Sequence, residues 1–357
     1  MTATMPRPSR RSRRADAIAS TTGAGADASA AWATVYHAPV LAAETVDGLV
    51  TDPAGLYVDG TLGGGGHAAA LLDALGPDAL VVGIDQDDEA LATAGARLAE
   101  ATGAGRFVAL KGNFGNLDRL LDAAGLGPAH GRAAAGVLLD LGVSSRQLDA
   151  PARGFAYSSD GPLDMRMDAH AGETAAEMIA RLGADDLADV LYAYGEERRS
   201  RQIARSIKAW PRMETTGDLA DAVRRGVPTR DEQKTLPRVF QALRIAVNGE
   251  MDVLEQALPA ALDVLAPGGR LAVIAYHSLE DRRAKQFLRT GQFQATVERD
   301  AFGNALTPWQ AVTRKAVVAG PAETARNPRA RSARLRIAEK VAPLPSPPGP
   351  FERHRGA

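Results

Sequence analysis

The sequence predicts an α/β fold in which helices cover a parallel β-sheet and a helical segment is inserted between two strands. Short runs rich in Val, Leu and Ile alternate with segments of strong helix formers, the pattern of βαβ units with buried strands. Three of these runs end in an aspartate, namely Asp59, Asp85 and Asp140. From residue 173 to about residue 265 the apolar spacing is helical, and a strand pattern then resumes.

The first predicted strand, residues 56–58, leads into Asp59, a run of four glycines and a helical segment at residues 68–75. Glycine allows a sharp turn and lets a ligand approach the backbone closely. A helix that begins at such a turn directs unpaired N–H groups towards that ligand. This stretch therefore predicts a ligand site at the end of the first strand.

The second predicted strand, residues 80–84, ends at Asp85, which lies twenty residues after Gly65. At that spacing a carboxylate binds ribose hydroxyls in dinucleotide-type folds, so a nucleoside cofactor is expected. Asp59 is placed to hold a cationic amino-acid group, and no second nucleotide site is evident. Both points favour S-adenosylmethionine over a nicotinamide dinucleotide. The alternative is an ordinary glycine-rich turn without a ligand.

The third predicted strand, residues 106–110, leads to Phe114, which either stacks on adenine or closes the turn as a core residue. The fourth, residues 135–143, carries Asp140 towards its end. Crossover helices make these strands parallel, so their aspartates lie at one edge of the sheet, where ligands bind in such folds. Carboxylates are unfavourable in a packed core, and their repetition at strand ends therefore indicates a site.

A fifth predicted strand, residues 270–276, runs into His277. Ser278 is expected to cap the next helix, with Asp281 at its third position. That role accounts for Ser278 and Asp281 but leaves Tyr276 and His277 as candidates for chemistry. Further strands are predicted in three ranges, residues 294–298, 311–318 and 333–341.

A basic segment at residues 198–212 contains six Arg or Lys residues and no acid. Helical spacing predicts one shared face for several of them, beside Trp210, an arrangement suited to binding phosphates and stacking bases. The alternative is a solvated helix face paired with Glu196 and Glu197. The RNA-binding candidates are Arg198, Arg201, Arg205, Lys208 and Arg212.

Composition narrows the classes of function. The absence of cysteine excludes disulfides and thiolate metal sites, and the spacing of the six histidines predicts no metal site. No run approaches the ~20 apolar residues that span a bilayer, and the basic N-terminus lacks the apolar core of a secretory signal. A cytoplasmic protein is expected. With a net charge of −1, nucleic-acid binding must come from local patches.

Six motifs occur in order along the chain. They are DGTLGGGGH at residues 59–67, DLGVSSRQLD at 140–149, GPLDMRMD at 161–168, RVFQALRI at 238–245, YHSLEDR at 276–282 and NPRARS at 327–332. Together they resemble the motifs of the bacterial small-subunit ribosomal RNA cytosine-N4 methyltransferases, and the resemblance extends from about His37 to Val341.

The resemblance implies a Rossmann-like class I methyltransferase sheet with an inserted all-helical domain. It implies S-adenosylmethionine as cofactor and the exocyclic N4 of a decoding-centre cytidine as methyl acceptor. As catalytic candidates we consider Asp140, an acceptor for the amine N–H groups, and His277, which would orient the base or take up the proton. The implied cofactor contacts are Gly65, Gly66, His67, Asp85, Phe114, Asp140 and Gln147.

The predicted domain organisation is a methyltransferase domain at residues 35–148 and 252–342, with an inserted helical domain at 149–251. Disordered tails are expected at residues 1–34 and 343–357. The expected partner is small-subunit ribosomal RNA within an assembled 30S particle, and the protein is expected to be a monomer or a homodimer.

Two other functions remain open at this stage. An NAD-dependent dehydrogenase would use His277 as its acid or base for hydride transfer. If the protein bound RNA without catalysing a reaction, the aspartates at the three strand ends would have no evident function.

Overall fold

A computed structural model describes residues 39–294, 296, 299, 302–303 and 306–341, and both predicted tails lie outside these residues. In the described part, one seven-stranded sheet has the order β3-β2-β1-β4-β5-β7-β6. β1 to β5 are parallel to one another, whereas β7 is antiparallel to both β5 and β6. The strands are β1 Leu56–Asp59, β2 Leu80–Asp85, β3 Phe107–Lys111, β4 Ala134–Asp140, β5 Leu265–Ala275, β6 Trp309–Ala311 and β7 Arg334–Lys340.

Helices precede, connect and follow these strands. Those of the sheet unit are α1 Ala42–Leu49, α2 Gly66–Ala74, α3 Asp88–Arg97, α4 Ala99–Gly103, α5 Leu117–Ala123 and α6 Ser145–Asp149. Those between α6 and β5 are α7 Ala175–Arg181, α8 Ala184–Gly195, α9 Ser200–Lys208, α10 Thr216–Arg225, α11 Glu232–Asn248 and α12 Glu250–Val264. α13 Ser278–Thr290 and α14 Pro321–Arg326 follow β5. In the described part, no helix combines the length and apolarity needed to cross a membrane.

Alternate residues of the central strands enter two apolar cores, one on each face of the sheet. Val58 of β1 and Leu139 of β4 face a core that includes residues of α5, α12 and α13. Tyr57 and Leu138, their neighbours in sequence, face a core that includes residues of α1, α2 and α3. Both faces are therefore covered, which explains why the strands are continuous apolar runs and confirms the predicted α/β fold.

The segment between β4 and β5 has an apolar core of its own. Its buried residues run from Phe155 to Leu243 and come largely from α7, α8, α9, α10 and α11. The capping boxes of Thr174 on α7 and Thr215 on α10 fix the start of each helix. The predicted insertion of a helical unit into the sheet is confirmed, and α12 then returns the chain to the core beneath the sheet.

The strand order reverses between β1 and β4, both of which carry an aspartate at the carboxyl end. In the sheet register Asp59 lies beside Gly83 of β2 and Leu138 of β4. In open α/β sheets ligands bind in the crevice beyond such a reversal. The antiparallel β7 begins at the edge where β5 ends, because Arg334 is paired with Ala275.

One predicted strand near the C-terminus is wrong, and another is only partly described. The predicted strand at residues 311–318 is instead β6, which ends at Ala311 because Val312 and Thr313 both donate to the carbonyl of Ile337 and leave the ladder. Val317 makes only an isolated bridge to Leu335. The predicted strand at residues 294–298 lies partly outside the described residues, and its described positions are not extended strand.

Replacing Gly136 with alanine is expected to destabilise the fold by about 1–3 kcal/mol, because the new methyl group overpacks the core. Its Cβ would lie 2.7 Å from the ring of Tyr57 and 3.0 Å from Leu49. The Tyr57 hydroxyl is fixed by hydrogen bonds to the backbone of Thr51 and Asp52, so the ring has little room to move. Urea denaturation measures the change in the free energy of unfolding.

Gly95→Ala is the matched control. Gly95 lies within α3, and an added Cβ would meet no atom within 4 Å. Alanine is the better helix former, so this variant is expected to be more stable by about 0.5–1 kcal/mol. Equal effects of the two substitutions would contradict the packing at Gly136.

Candidate functional site

A cavity of about 350 Å³ opens at the carboxyl ends of the parallel strands. Segments far apart in sequence line it, including the loop after β1, the ends of β2 and β4, and Tyr276 after β5. The predicted residues that reach it are Gly66, His67, Asp85, Phe114, Asp140 and Gln147. Gly65 and His277 are not among the lining residues.

The loop after β1 is hydrogen-bonded to the strands on either side of it. Gly60 N–H donates to Leu138 of β4 at 2.9 Å, and Leu62 N–H donates to Ile84 of β2 at 3.0 Å. The Thr61 hydroxyl accepts from the backbone N–H of Asp140 at 2.7 Å. These bonds hold the floor of the cavity in one position.

The glycine run adopts a backbone that other residues rarely adopt. Gly63 and Gly65 have φ angles of 50° and 74°. A Cβ on Gly65 would lie 3.2 Å from side-chain atoms of Ala94 and Leu98, so this glycine lets α3 pack closely behind the loop. Gly66, the first residue of α2, faces the cavity instead.

Asp85 is held in place by two backbone N–H groups. Its Oδ2 accepts from Gly63 at 2.8 Å, and its Oδ1 accepts from Asp87 at 2.9 Å. Burial raises the pKa of Asp85, although these hydrogen bonds act in the opposite direction. A carboxylate has about four acceptor positions, so two remain for hydroxyl groups of a ligand.

Asp140 lies between two ring-bearing side chains that contact its two oxygens. The Tyr276 hydroxyl donates to Oδ1 at 2.8 Å, and Nε2 of His67 lies 3.4 Å from Oδ2. Burial, followed by the charge and hydrogen bond of Asp140, raises the pKa of Tyr276 far above its ordinary value. Burial alone would lower the pKa of His67, but Asp140 and Asp59 raise it. Asp140 is thus oriented, with its side chain still 21% exposed towards the cavity.

Asp59 lies behind the lining residues and is fully buried. Its Oδ1 accepts from Thr61 N–H at 3.2 Å, whereas Oδ2 has no hydrogen-bond partner among the described residues. Burial raises the pKa of Asp59 to about 6, and His67 opposes this effect. A carboxyl group that titrates near neutrality therefore lies beneath the cavity.

Gln147 reaches the cavity from α6, and its amide is already engaged. It forms a capping box with Ser144, and its Nε2 donates to Oδ2 of Asp87 at 3.0 Å. Arg153 donates to the same oxygen at 2.8 Å. Burial would raise the pKa of Asp87, but Arg153 and Gln147 lower it below its ordinary value. This network fixes the loop after β4 against the residues that follow β2.

Phe114 is a core residue, as one interpretation of its sequence position predicts. It lies in a short 3₁₀ turn after β3, packs against the core shared with α5 and α12, and also lines the cavity. Stacking of its ring on adenine stays a prediction.

The expected cap of α13 is wrong. His277, not Ser278, is the N-cap residue, and it forms a capping box with Glu280. Its Nδ1 accepts from Glu280 N–H at 3.5 Å, and its Nε2 lies 3.0 Å from Oε1 of Glu280. Ser278 instead donates to Glu196. The position of His277 is thus explained by its role as the N-cap of α13. Its side chain can accept a hydrogen bond from the backbone N–H of the third helical residue, as an N-cap side chain does.

Three potential metal ligands, Glu250, His277 and Glu280, have atoms within 4.8 Å of one another. Arg244 makes two hydrogen bonds to Glu250, at 2.8 and 2.9 Å. The guanidinium thus compensates the negative charge that a cation would otherwise neutralise.

The predicted basic helix is shorter than residues 198–212, because α9 ends at Lys208. Lys208 donates to two carbonyls at the end of α7, and Arg212, beyond the helix, pairs with Glu214. Trp210 donates to Asp218 and packs against the helical core, so its ring is not a free stacking surface.

Of the remaining basic side chains of this segment, Arg199 is half-buried and pairs with Asp231, whereas Arg198, Arg201 and Arg205 are exposed. Arg198, Arg201 and Arg205 have no ion-pair partner among the described residues. The expected pairing with Glu196 and Glu197 is not found, since those acids pair with Arg282 and Arg238. None of the five predicted RNA-binding residues lines the cavity.

Some lining residues were not predicted. Asn327, Arg329 and Ser332, from the basic turn before β7, form part of the wall. The sequence predicts the turn. Its position beside the cavity depends on the antiparallel direction of β7, which no local sequence pattern indicates.

The Asp59→Asn variant is expected to gain stability relative to the natural protein as the pH rises. The pKa of Asp59 is higher in the folded protein than in the unfolded chain, so this carboxyl group makes its full contribution to the free energy of unfolding below about pH 4. It is lost as the pH rises through about 6. Between pH 4 and pH 8 the loss is about 2 kcal/mol, and the asparagine variant avoids it.

Urea denaturation of both proteins at pH 4 and pH 8 measures this difference. Asp78→Asn, at an exposed position before β2, is the control and is expected to show no such change. A stability difference between Asp59→Asn and the natural protein that does not vary with pH would contradict the raised pKa.

Comparison with known proteins identifies the family. Residues 34–341 match the model of the MraW methylase family. The curated relatives named "Ribosomal RNA small subunit methyltransferase H" include those of Chlorobaculum parvum and Chlorobium luteolum. The first is 49% identical over 319 residues, covering 86% of this chain and 98% of the relative. The second is 51% identical over 323 residues, covering 86% of this chain and 97% of the relative.

A relative from another organism gives the same result. The protein of that name from Sorangium cellulosum is 48% identical over 310 residues, covering 85% of this chain and 91% of the relative. The family model covers the whole described part of the chain, including the inserted helices and the basic turn before β7. The family predicted from the motifs is confirmed, and the chain belongs to the MraW methylase family.

Proposed function

We propose that this protein transfers a methyl group from S-adenosylmethionine to the exocyclic N4 of a cytidine in the decoding centre of small-subunit ribosomal RNA. Its relatives are named as ribosomal RNA small subunit methyltransferases. The observation that carries the proposal is the cavity at the strand reversal, where a glycine loop, Asp85 and Asp140 meet. Because the relatives are named as methyltransferases, neither a dehydrogenase nor a non-catalytic RNA-binding protein is proposed.

The cavity residues fit an adenosyl cofactor. The cavity volume of about 350 Å³ lies within the range of small-molecule sites. Asp85 offers two remaining acceptor positions for ribose hydroxyls, and Phe114 offers a ring face for adenine. We propose Gly65, Gly66, His67, Asp85, Phe114, Asp140 and Gln147 as the residues that hold the cofactor, with Gly65 and Gln147 acting through the conformation of their loops.

The cofactor supplies a methyl group on a sulfonium, which is already activated for transfer. The task of the chain is then chiefly to align the cytosine amine, and alignment contributes ~7–11 kcal/mol in well-oriented reactions. Asp140 is held by Tyr276 and by Thr61. We propose that it accepts an N–H of the amine, which helps the nitrogen lone pair to leave conjugation with the ring, and that it takes up this proton as the methyl group is transferred. His277 supports the site as the cap of α13 and is a positioning residue.

The helical unit, residues 149–251, is proposed to recognise RNA. To enter the cavity the target base must leave its stack, which costs a few kcal/mol. Phosphate contacts from Arg198, Arg201 and Arg205, all exposed, would offset this cost. Lys208 and Arg212 contribute less, since each already has a partner.

We propose an assembled 30S particle as substrate and the cytoplasm as the location, because ribosomal subunits are assembled there. The protein acts as a monomer or a homodimer.

Asp85→Ala is expected to weaken S-adenosylmethionine binding on the order of a hundredfold, since two hydrogen bonds to a charged group are lost. Isothermal titration calorimetry measures this affinity. Asp85→Asn keeps an acceptor for Gly63 N–H and is expected to lose less. Asp78→Ala, at an exposed position outside the cavity, is the control. If Asp85→Ala bound the cofactor as tightly as the natural protein, the ribose assignment would be wrong.

Methyl transfer to purified small subunits from cells that lack this protein tests the function directly. N4-methylcytidine is expected at a single position, identified by nuclease digestion and mass spectrometry. Asp140→Asn is expected to lower kcat about a hundredfold, because a fixed electrostatic contact to the reacting amine is weakened. Product at another base, or none on intact subunits and naked RNA alike, would disprove the proposed acceptor.

A further inference from the structure

The turn before β7 lies beside the cavity because β7 runs against the other strands. The parallel strands end at this edge, whereas β7 begins there, with Arg334 paired to Ala275 of β5. Ala275 immediately precedes Tyr276, which lines the cavity. The residues that lead into β7 must therefore cross the edge where the cavity opens.

This turn is held firmly against the sheet unit. Ala330 and Ala333 are fully buried in the core shared with α1 and α2. Asn327 accepts from the N–H of Arg329 and starts a 3₁₀ turn at residues 328–332. Since Arg329 and Ser332 also line the cavity, the turn is a fixed part of its rim.

The rim carries a concentrated positive charge. No acidic residue occurs from Thr324 to Ala338. Four arginines of this stretch, all at exposed positions, form what we call the basic rim: Arg326, Arg329, Arg331 and Arg334.

The acidic groups nearby compensate only part of this charge. Glu323, before the rim, is half-buried and accepts from the N–H of Leu41. Asp149 of α6 pairs with Arg329 at 2.6 Å, but this pair is exposed and contributes little to stability. In the described part of the chain, Arg331 and Arg334 have no acidic side chain within ion-pair distance.

Arginines that have a structural role look different in this protein. Arg336, two residues beyond Arg334, makes two hydrogen bonds to Asp281 at 2.8 and 3.1 Å. Arg270 pairs with Glu339 and donates to the carbonyl of Gly48. The exposed guanidinium groups of Arg331 and Arg334 have no such contacts, so the fold does not require them.

We propose that the basic rim binds the RNA phosphates on either side of the nucleotide that enters the cavity. The inference rests on the proposed function, since it assumes that the cavity receives a nucleotide of RNA. A base inside the cavity remains attached to its backbone, so its phosphates lie at the mouth, where the rim is. Arginine binds phosphate oxygens through its planar guanidinium group. Of the rim arginines, Arg329 lines the cavity, whereas no arginine of α9 does.

The test uses the full-length chain with Arg331→Gln, Arg334→Gln and the double variant. Binding to naked small-subunit ribosomal RNA and to unmethylated small subunits is measured over a series of KCl concentrations. Each substitution is expected to weaken binding and to make the slope of log K against log[KCl] shallower by about 1, as a lost phosphate contact does. Methyl-transfer kinetics are expected to show a raised KM for RNA with kcat within about twofold of the natural protein.

Arg132→Gln is the matched control, because Arg132 is exposed and lies before β4, at the opposite edge of the sheet. It is expected to leave the salt slope unchanged. S-adenosylmethionine affinity, measured for every variant, is expected to be unchanged and establishes that each one is folded.

The outcomes separate the inference from the proposed function. If the natural protein methylates small subunits and the rim variants keep its salt slope and KM, the inference is wrong and the function stands. If the rim variants lose affinity but keep the salt slope of the natural protein, the lost contacts are not to phosphates and the inference is again wrong. If the natural protein transfers no methyl group to RNA, the proposed function fails whatever the rim does.

Discussion

The hydrogen bonds between the loop after β1 and its two neighbouring strands determine where the groups of the site lie. Gly60 and Leu62 donate alternately to β4 and β2. Gly63 donates to the carboxylate of Asp85, and Thr61 accepts from the backbone of Asp140. A displacement of this loop would move both acids at once. The loop must therefore be fixed to both strands if Asp85 and Asp140 are to keep their positions at the cavity.

Much of the fold was predictable because its signals are local. A buried parallel strand is a short apolar run, and Asp59, Asp85 and Asp140 each follow such a run. Once the strands are parallel, elementary geometry brings their ends to one edge. The inserted helices were predictable for the same reason, since their apolar spacing of three and four residues repeats for about ninety residues.

Other features depend on partners distant in sequence, and local patterns do not reveal them. Gln147 was expected to contact a cofactor, but its amide also binds Asp87, sixty residues earlier. His277 resembled a reactive histidine, whereas its main contact is Glu280, three residues later. The basic segment containing Lys208 was overestimated for a similar reason, because carbonyls at the end of α7 already bind that side chain. In each case tertiary contacts decide whether a polar group is available to a ligand.

The antiparallel β7 also affects how the protein is made. It is inserted between β5 and β6 in the sheet, and the turn before it supplies Arg329 and Ser332 to the cavity wall. These residues follow β1 to β5 and the inserted helices in the chain, so they are synthesised after them. A chain synthesised only as far as α13 therefore lacks one wall of the cavity.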